Sequence, residues 1–466
     1  MNAIALEFKK NAVRTAKDLQ RRQLVKTALG NFEIARNDKV ARFQDWQKAR
    51  YVAAKIKWNA IENLYTNIQL LEENLKKNGT IVHWAATAEE ARRIVSAIAK
   101  EKNARLIVKS KAMTAEEIHL NDALEKEGYE VVETDLGEFI VQLRREPPYH
   151  IVFPAMHLTR YEISDLFVQK LGSQPTDKAE ELTMIARRVL REKYIKADIG
   201  ITGANFAVAD CGVISITENE GNARLTAALP KVMITLIGIE KVIPKLEDLA
   251  LFLPMLATAG AAQIISGYNT FYSGPQKNGE SDGPQEYHVI LLDNGRTELL
   301  ADPIERDALR CIRCGACLNV CPVYRTIGGH SYGTTYCGPI GAVITPIMRG
   351  IEDWQQLSYA SSLCGACAEI CPVKIILHHH LLKNRKIAAT KKPIWWQKIG
   401  FKIFSKISTC PTLWSIITKC GRLLQKLHPL VKGSKLDPAY AWTKERDLPP
   451  IARQTFKEWW RSKNER

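Results

Sequence analysis

CIRCGACLNVCPVYR, residues 311–325, and CGACAEICPVKI, residues 364–375, decide how this chain is read. The first run places cysteines at Cys311, Cys314, Cys317 and Cys321, with Pro322 directly after the last. That is the bacterial ferredoxin spacing, in which three close thiolates wrap one [4Fe–4S] cluster and the fourth ligates a second. The second run repeats the pattern at Cys364, Cys367 and Cys371-Pro372 but lacks the first member. Crossed ligation then assigns Cys311, Cys314, Cys317 and Cys371 to one cluster, leaving Cys321, Cys364 and Cys367 for the other. The second site is one thiolate short, and the missing position falls at Ser361. Three readings stay open: Cys337 folds back as the fourth ligand, Ser361 or water takes the open iron, or the site holds a [3Fe–4S] cluster. Zinc is the competing metal, but zinc sites use paired CxxC motifs with four ligands each, and the twin Cys-Pro runs fit iron–sulfur better.

Outward from the cysteines, the composition is that of a globular chain: 466 residues, 46% hydrophobic and 25% charged. The net charge of +16 is concentrated at one end, because His378–Arg466 holds 20 Lys and Arg against 5 Asp and Glu. An anionic partner is therefore expected at the C-terminal end. The start, MNAIALEFKK, lacks the apolar core of a secretory signal, and no window approaches the ~20 apolar residues of a membrane span. A cytoplasmic location is expected, where clustered cysteines bind metal rather than form disulfides. Cys211, Cys410 and Cys420 are isolated and read as ordinary buried thiols.

Residues 1–75 read as charged helices, with apolar Trp46, Val52, Ala53, Ile56 and Ile61 at helical spacing. Arg21-Arg22-Gln23 reads as a solvated face. Residues 76–298 alternate strands with helices, which predicts an α/β domain with a largely parallel sheet. Strands are expected at TIVHWA, RLIVKS, YEVVETD, EFIVQL, ADIGITGANFAVAD, GVISITE, KVMITLIGIEKV and HVILLDN, and a capping box at Thr114 and Glu117. Residues 299–388 hold the cysteines between short helices, and 389–466 form a basic, Trp-containing extension. GITGAN lacks the dinucleotide-binding glycine spacing, so a hydride acceptor is expected on a partner. Gly203, Asn205, Glu218, Glu220 and Asn222 flank strand ends, where α/β sheets bind ligands, and form a candidate pocket.

VKSKAM…ETDLGEFIVQL, GANFAVADCG…TENEGNARL, both cysteine runs and the tail together resemble the L-lactate-utilisation iron–sulfur protein family, on its B-subunit branch, over nearly the whole chain. The resemblance implies an α/β lactate-utilisation domain like those of isomerases, CoA-transferases and cyclo-ligases. It also implies an α-helical ferredoxin module with two [4Fe–4S] clusters and helical N- and C-terminal extensions. The family's cluster ligands fall on the same seven cysteines, so the three-thiolate site belongs to the family pattern, and no catalytic residue comes with the resemblance. The implied role is electron carrier in oxidation of L-lactate to pyruvate, beside two other lactate-utilisation subunits and electron donor and acceptor proteins. An oxidoreductase whose α/β domain itself binds a hydroxy-acid or acyl substrate is one alternative; a non-redox scaffold with structural clusters is another. In the tail, Trp395, Trp396, Ile399, Phe401, Ile403, Phe404 and Ile407 mix with Lys398, Lys402 and Lys406. Docking to a partner subunit is expected there, with peripheral contact at the inner membrane face as the alternative and no nucleic acid.

Overall fold

The computed structural model describes residues 2–391, 395–434, 437, 439–443 and 446–464. The chain divides into two compact units, with the boundary between Ala388 and Ala389.

The N-terminal helices are Ala3–Lys17, Leu19–Val40, Trp46–Glu62 and Leu64–Lys77. Asn2, Asp18 and Asp45 cap the first three by accepting backbone N–H groups of Ala5, Arg21 and Lys48. Val25, Leu29, Trp46, Ala53 and Ile61 are buried in the same core as the cysteine region. Val52 departs from the expected stripe and is exposed. Arg21 is not a purely solvated residue either: its guanidinium pairs with Glu162 at 2.8 Å, tying the second helix to the α/β domain.

Ten strands follow: β1 (Ile81–Ala85), β2 (Leu106–Lys109), β3 (Glu130–Glu133), β4 (Ile199–Thr202), β5 (Phe206–Val208), β6 (Val213–Glu218), β7 (Val232–Gly238), β8 (Val242–Ile243), β9 (Tyr268–Tyr272) and β10 (Glu286–Leu292). Six form one sheet in the order β1-β10-β7-β4-β2-β3, parallel throughout. The others form a mixed sheet, β8-β5-β6-β9. Every residue of β7 is buried, as a parallel strand covered on both faces requires. Alternate side chains serve different layers: Ile234 and Ile290 face one core, Met233 and Val289 the other.

Two local expectations fail for physical reasons. EFIVQL lies in a helix, Leu136–Arg144, because Asp135 caps it at the Glu138 N–H (3.0 Å) and consecutive Phe139, Ile140 and Val141 are all buried. Thr114 and Glu117 form no capping box: their helix, Met113–Glu117, starts after Ala112 without a side-chain cap, and the Glu117 carboxylate is taken by Arg296. β9 escaped the sequence reading because YNTFY is polar and half-exposed. Cys211 and Cys410 are half-buried and Cys420 is exposed, so none is an ordinary core thiol. No helix among the described residues is long and apolar enough to cross a membrane.

The helix Leu377–Lys391 is pinned to the turn before Cys311 through His380, whose ring nitrogens lie 3.1 Å from Glu305 and 3.0 Å from Asp307. Burial opposes charging this ring, but the two carboxylates outweigh it and lift its pKa to about 9. A folded-state pKa above the unfolded value of about 6.5 stabilises the fold fully below that pH, and the gain is lost as pH rises through about 9. Thermal melting of wild type and His380→Gln from pH 6 to 10 should therefore show a gap that narrows with rising pH; a constant gap contradicts the assignment.

In the second unit, helices Trp395–Thr409 and Pro411–Leu427 carry no acidic residue. Trp395, Trp396, Ile399, Phe401, Ile403 and Phe404 are exposed on the first of them.

Candidate metal centre

The two cysteine runs coil alike. Arg313 and Leu363, each directly before a Cys-Gly-Ala-Cys segment, adopt φ of 59° and 55°, and Gly315 and Gly365 adopt 77° and 83°. A left-handed non-glycine residue is uncommon, so its recurrence at matching places marks one loop built twice. Each loop leads into a short helix, Ala316–Asn319 and Ala366–Ile370, and these pack together.

Within these loops backbone N–H groups point at sulfur. Arg313 donates to Cys311 Sγ (3.4 Å), Tyr324 to Cys321 Sγ (3.5 Å) and Ile375 to Cys371 Sγ (3.4 Å). In the second loop Leu363 N–H donates to Ser361 Oγ at 3.1 Å, the counterpart of the Arg313–Cys311 bond. Ser361 therefore sits where the absent cysteine would be. Cys337 is placed otherwise: it is buried at the start of helix Gly338–Met348, its Sγ 3.9 Å from the Tyr149 carbonyl, which also accepts from the Tyr324 hydroxyl at 2.8 Å.

All eleven cysteines are free thiols. Cys311, Cys314, Cys317 and Cys371 line one small cavity. Cys321 and Cys364 are both close enough to act on the Cys367 thiol. Burial pushes Cys371 up to about 11 and Cys367 up to about 12, whereas the Ala366 N–H and Ser362 hydroxyl lower exposed Cys364. Buried thiols of this kind stay protonated until a metal displaces the protons, so metal uptake and thiolate formation are one event.

Around the first cavity the chain buries an unusual set of cations. Arg36, Arg50, Lys57, Lys241 and Arg310 are each at most 9% exposed, and the Arg313 side chain is 6% exposed. Arg50 Nε donates to the Cys371 carbonyl (2.9 Å), Arg310 Nη1 to that of Val373 (3.1 Å), and Lys57 Nζ to that of Glu240 (2.6 Å). Glu240 also pairs with Arg313 at 3.0 Å and with Arg296. Buried charge needs a counter-charge, and a thiolate-ligated iron–sulfur centre, being anionic, supplies one. The donor set and its surroundings fit such a centre. Sequence reasoning missed these cations because most lie far along the chain; only Arg310 and Arg313 stood next to the motif.

A second cavity lies at the C-terminal ends of β2, β4 and β6. Gly203, Asn205, Glu218, Glu220 and Asn222 all line it. Part of their polarity is used locally: Asn205 Oδ1 accepts from Thr217 N–H (2.8 Å), Glu218 from Ala223 and Arg224 (2.6 and 3.0 Å), and Glu220 from Leu136 (3.0 Å).

Comparison with known proteins agrees with this layout. Residues 68–292 match the LUD domain, 307–375 the 4Fe-4S dicluster domain, and 388–465 the domain described as lactate utilisation protein B, C-terminal. Lactate utilization protein B of Bacillus licheniformis is 43% identical over 463 residues, covering 97% of this chain and 93% of that protein. Its namesake in Bacillus subtilis is 42% identical with the same coverage, and lactate utilization protein B 1 of Bacillus mycoides is 44% identical over 94% of this chain and 92% of its own. The cysteine region is thus an iron–sulfur module following an α/β LUD domain.

Proposed function

The chain belongs to the lactate utilization protein B family, and from that premise we propose that it carries electrons in the oxidation of L-lactate to pyruvate, as one subunit beside two others. The observation that carries this reading is the interleaving of two unequal thiolate sets. One is buried among cations; the other comes to the surface at exposed Cys364. When bound, two iron–sulfur clusters would each accept and release one electron, which suits a substrate giving up two. Cys311, Cys314, Cys317 and Cys371 would hold a [4Fe–4S] cluster. Cys321, Cys364 and Cys367 would hold the second, with Ser361 at its fourth corner. The buried cations offset negative charge at the first site, and the Arg313, Tyr324 and Ile375 N–H groups hold sulfur lone pairs in place. Exposed Cys364 marks the face toward an electron-exchanging partner, and the acid-free Trp-bearing helices of the second unit support docking to a partner subunit on the cytoplasmic side.

Deleting the gene should abolish growth on L-lactate as sole carbon source, with restoration by the intact chain; undiminished growth in a strain lacking other lactate dehydrogenases contradicts the proposal. The fourth ligand is tested separately. Ser361→Cys should alter the paramagnetic spectrum of one reduced cluster only, while Cys337→Ser should leave both unchanged. Loss of one cluster's signal in Cys337→Ser would assign the ligand to Cys337 instead.

A further inference from the structure

The cavity at the strand ends abuts the first cysteine loop. Arg313 and Cys314 line it, and both also line the small cavity between the thiols. The packing that joins them is close: a Cβ on Gly260 would stand 2.9 Å from the Cys314 carbonyl oxygen, so only glycine lets helix Leu249–Ala261 approach this loop. Two buried cations face the same space. Arg313 gives one nitrogen, Nη2, to Glu240, but its Nε and Nη1 are buried without any hydrogen-bond partner. Lys241 is 8% exposed and forms no ion pair among the described residues; its nearest opposite charges are Glu240 and Cys311. A guanidinium with two buried unpaired nitrogens, beside a largely buried lysine that forms no ion pair, is costly, so a fold that keeps them together keeps them for an anion. The thiolates of the first cluster can serve part of Arg313. Lys241 lines the strand-end cavity and not the one between the thiols, so an anion in the strand-end cavity is what would pair it.

The cavity is also lined by Asp135, Glu218 and Glu220, and burial together with the Asp135 charge pushes Glu220 up to about 7 although Lys111 pulls it down. Carboxyls of this kind accept or donate a hydrogen bond to a neutral oxygen. Ile216, Leu256 and Ala257 line the space apolar-side. A ligand matching this cavity is a small anion that also carries a neutral hydroxyl or keto oxygen.

We propose that the cavity binds a small 2-hydroxy or 2-oxo carboxylate, its carboxylate held by Lys241 and Arg313 beside Cys314. The choice among carboxylates rests on the lactate reading above; the anion site rests on the unpaired cations. It places a substrate or product site on this chain, next to its buried cluster, and not only on a partner.

The test is anaerobic calorimetric titration of the iron-loaded full chain with L-lactate, pyruvate and inorganic phosphate, with the spectrum of the reduced clusters recorded with and without ligand. One-site saturable binding of lactate or pyruvate is expected, together with a changed spectrum for one cluster. Lys241→Gln should weaken binding at least tenfold at unchanged iron content, and Glu220→Gln, elsewhere in the lining, should weaken it too. Fully iron-loaded protein that binds neither carboxylate overturns the proposal, as does binding indifferent to both variants. Phosphate bound as tightly as lactate, with the same dependence on Lys241, overturns the carboxylate assignment. Growth on lactate is read independently, so a chain needed for lactate growth that binds no carboxylate would sink this inference and leave the electron-carrier reading intact.

Discussion

Replacing Cys317 by alanine should remove one cluster, lowering bound iron to roughly half, and destabilise the protein well beyond what a surface substitution would. Cys317 is buried within the cluster cavity, and the charges of Cys311, Cys314, Cys367 and Cys371 all reach it, so it stands between the two thiolate sets. Seven of the module's cysteines touch or belong to the largest core, alongside Leu318, Tyr324 and Val343. Iron at this place therefore joins segments within the core itself, and its binding free energy is in part folding free energy. Arg36, Arg50, Lys57, Arg310 and Arg313 without their anion add to the destabilisation. Iron analysis and thermal melting under nitrogen check both halves. Wild-type iron content in Cys317→Ala would show that the ligand assignment is wrong.

Arg296→Met should have the largest effect on stability away from iron. Arg296 is 1% exposed and holds Glu117 through two bonds, 2.9 and 2.8 Å, while its Nε binds Glu240. Glu117 also accepts from the Tyr336 hydroxyl at 2.7 Å, and Glu240 binds Arg313. The network thus joins the ends of β7 and β10 to the cysteine module. The turn after β7 is shaped around it: a Cβ on Gly238 would lie 2.2 Å from Glu240 Oε2. Removing the guanidinium strands two buried carboxylates, at a cost of about 3–5 kcal/mol. Anaerobic denaturant unfolding should show that loss, and a companion Glu117→Gln in the Arg296→Met background should recover part of it. A loss below about 1 kcal/mol, the scale of an exposed pair, would contradict a structural role for the network.

What the sequence discloses follows from how local each determinant is. Iron–sulfur ligation demands cysteine at fixed short spacing, so the two runs, and the gap at Ser361 between them, are visible in a few residues. The parallel sheet is legible for a similar reason: β7 is apolar at nearly every position, and only a strand covered on both faces tolerates that. The polar strand ends Gly203, Asn205, Glu218, Glu220 and Asn222 share one cavity because parallel strands bring their C-terminal ends to one edge. Long-range pairing is invisible. Glu117 imitated a capping residue because its true partner, Arg296, is 179 positions away. EFIVQL has the composition of a strand and became a helix through Asp135 and the burial of three consecutive apolar residues. Arg36, Arg50 and Lys57 are scattered among the other charges of the N-terminal helices, and only the folded chain brings them to the cysteines.

The central claim is that this chain carries two unequal iron–sulfur clusters. Iron and sulfide analysis of the full chain purified under nitrogen, with paramagnetic spectroscopy during stepwise reduction, tests it directly. Roughly eight iron and eight sulfide per chain are expected, with two spectrally distinct centres that reduce separately. A colourless protein holding zinc, or iron enough for one centre only, would contradict it.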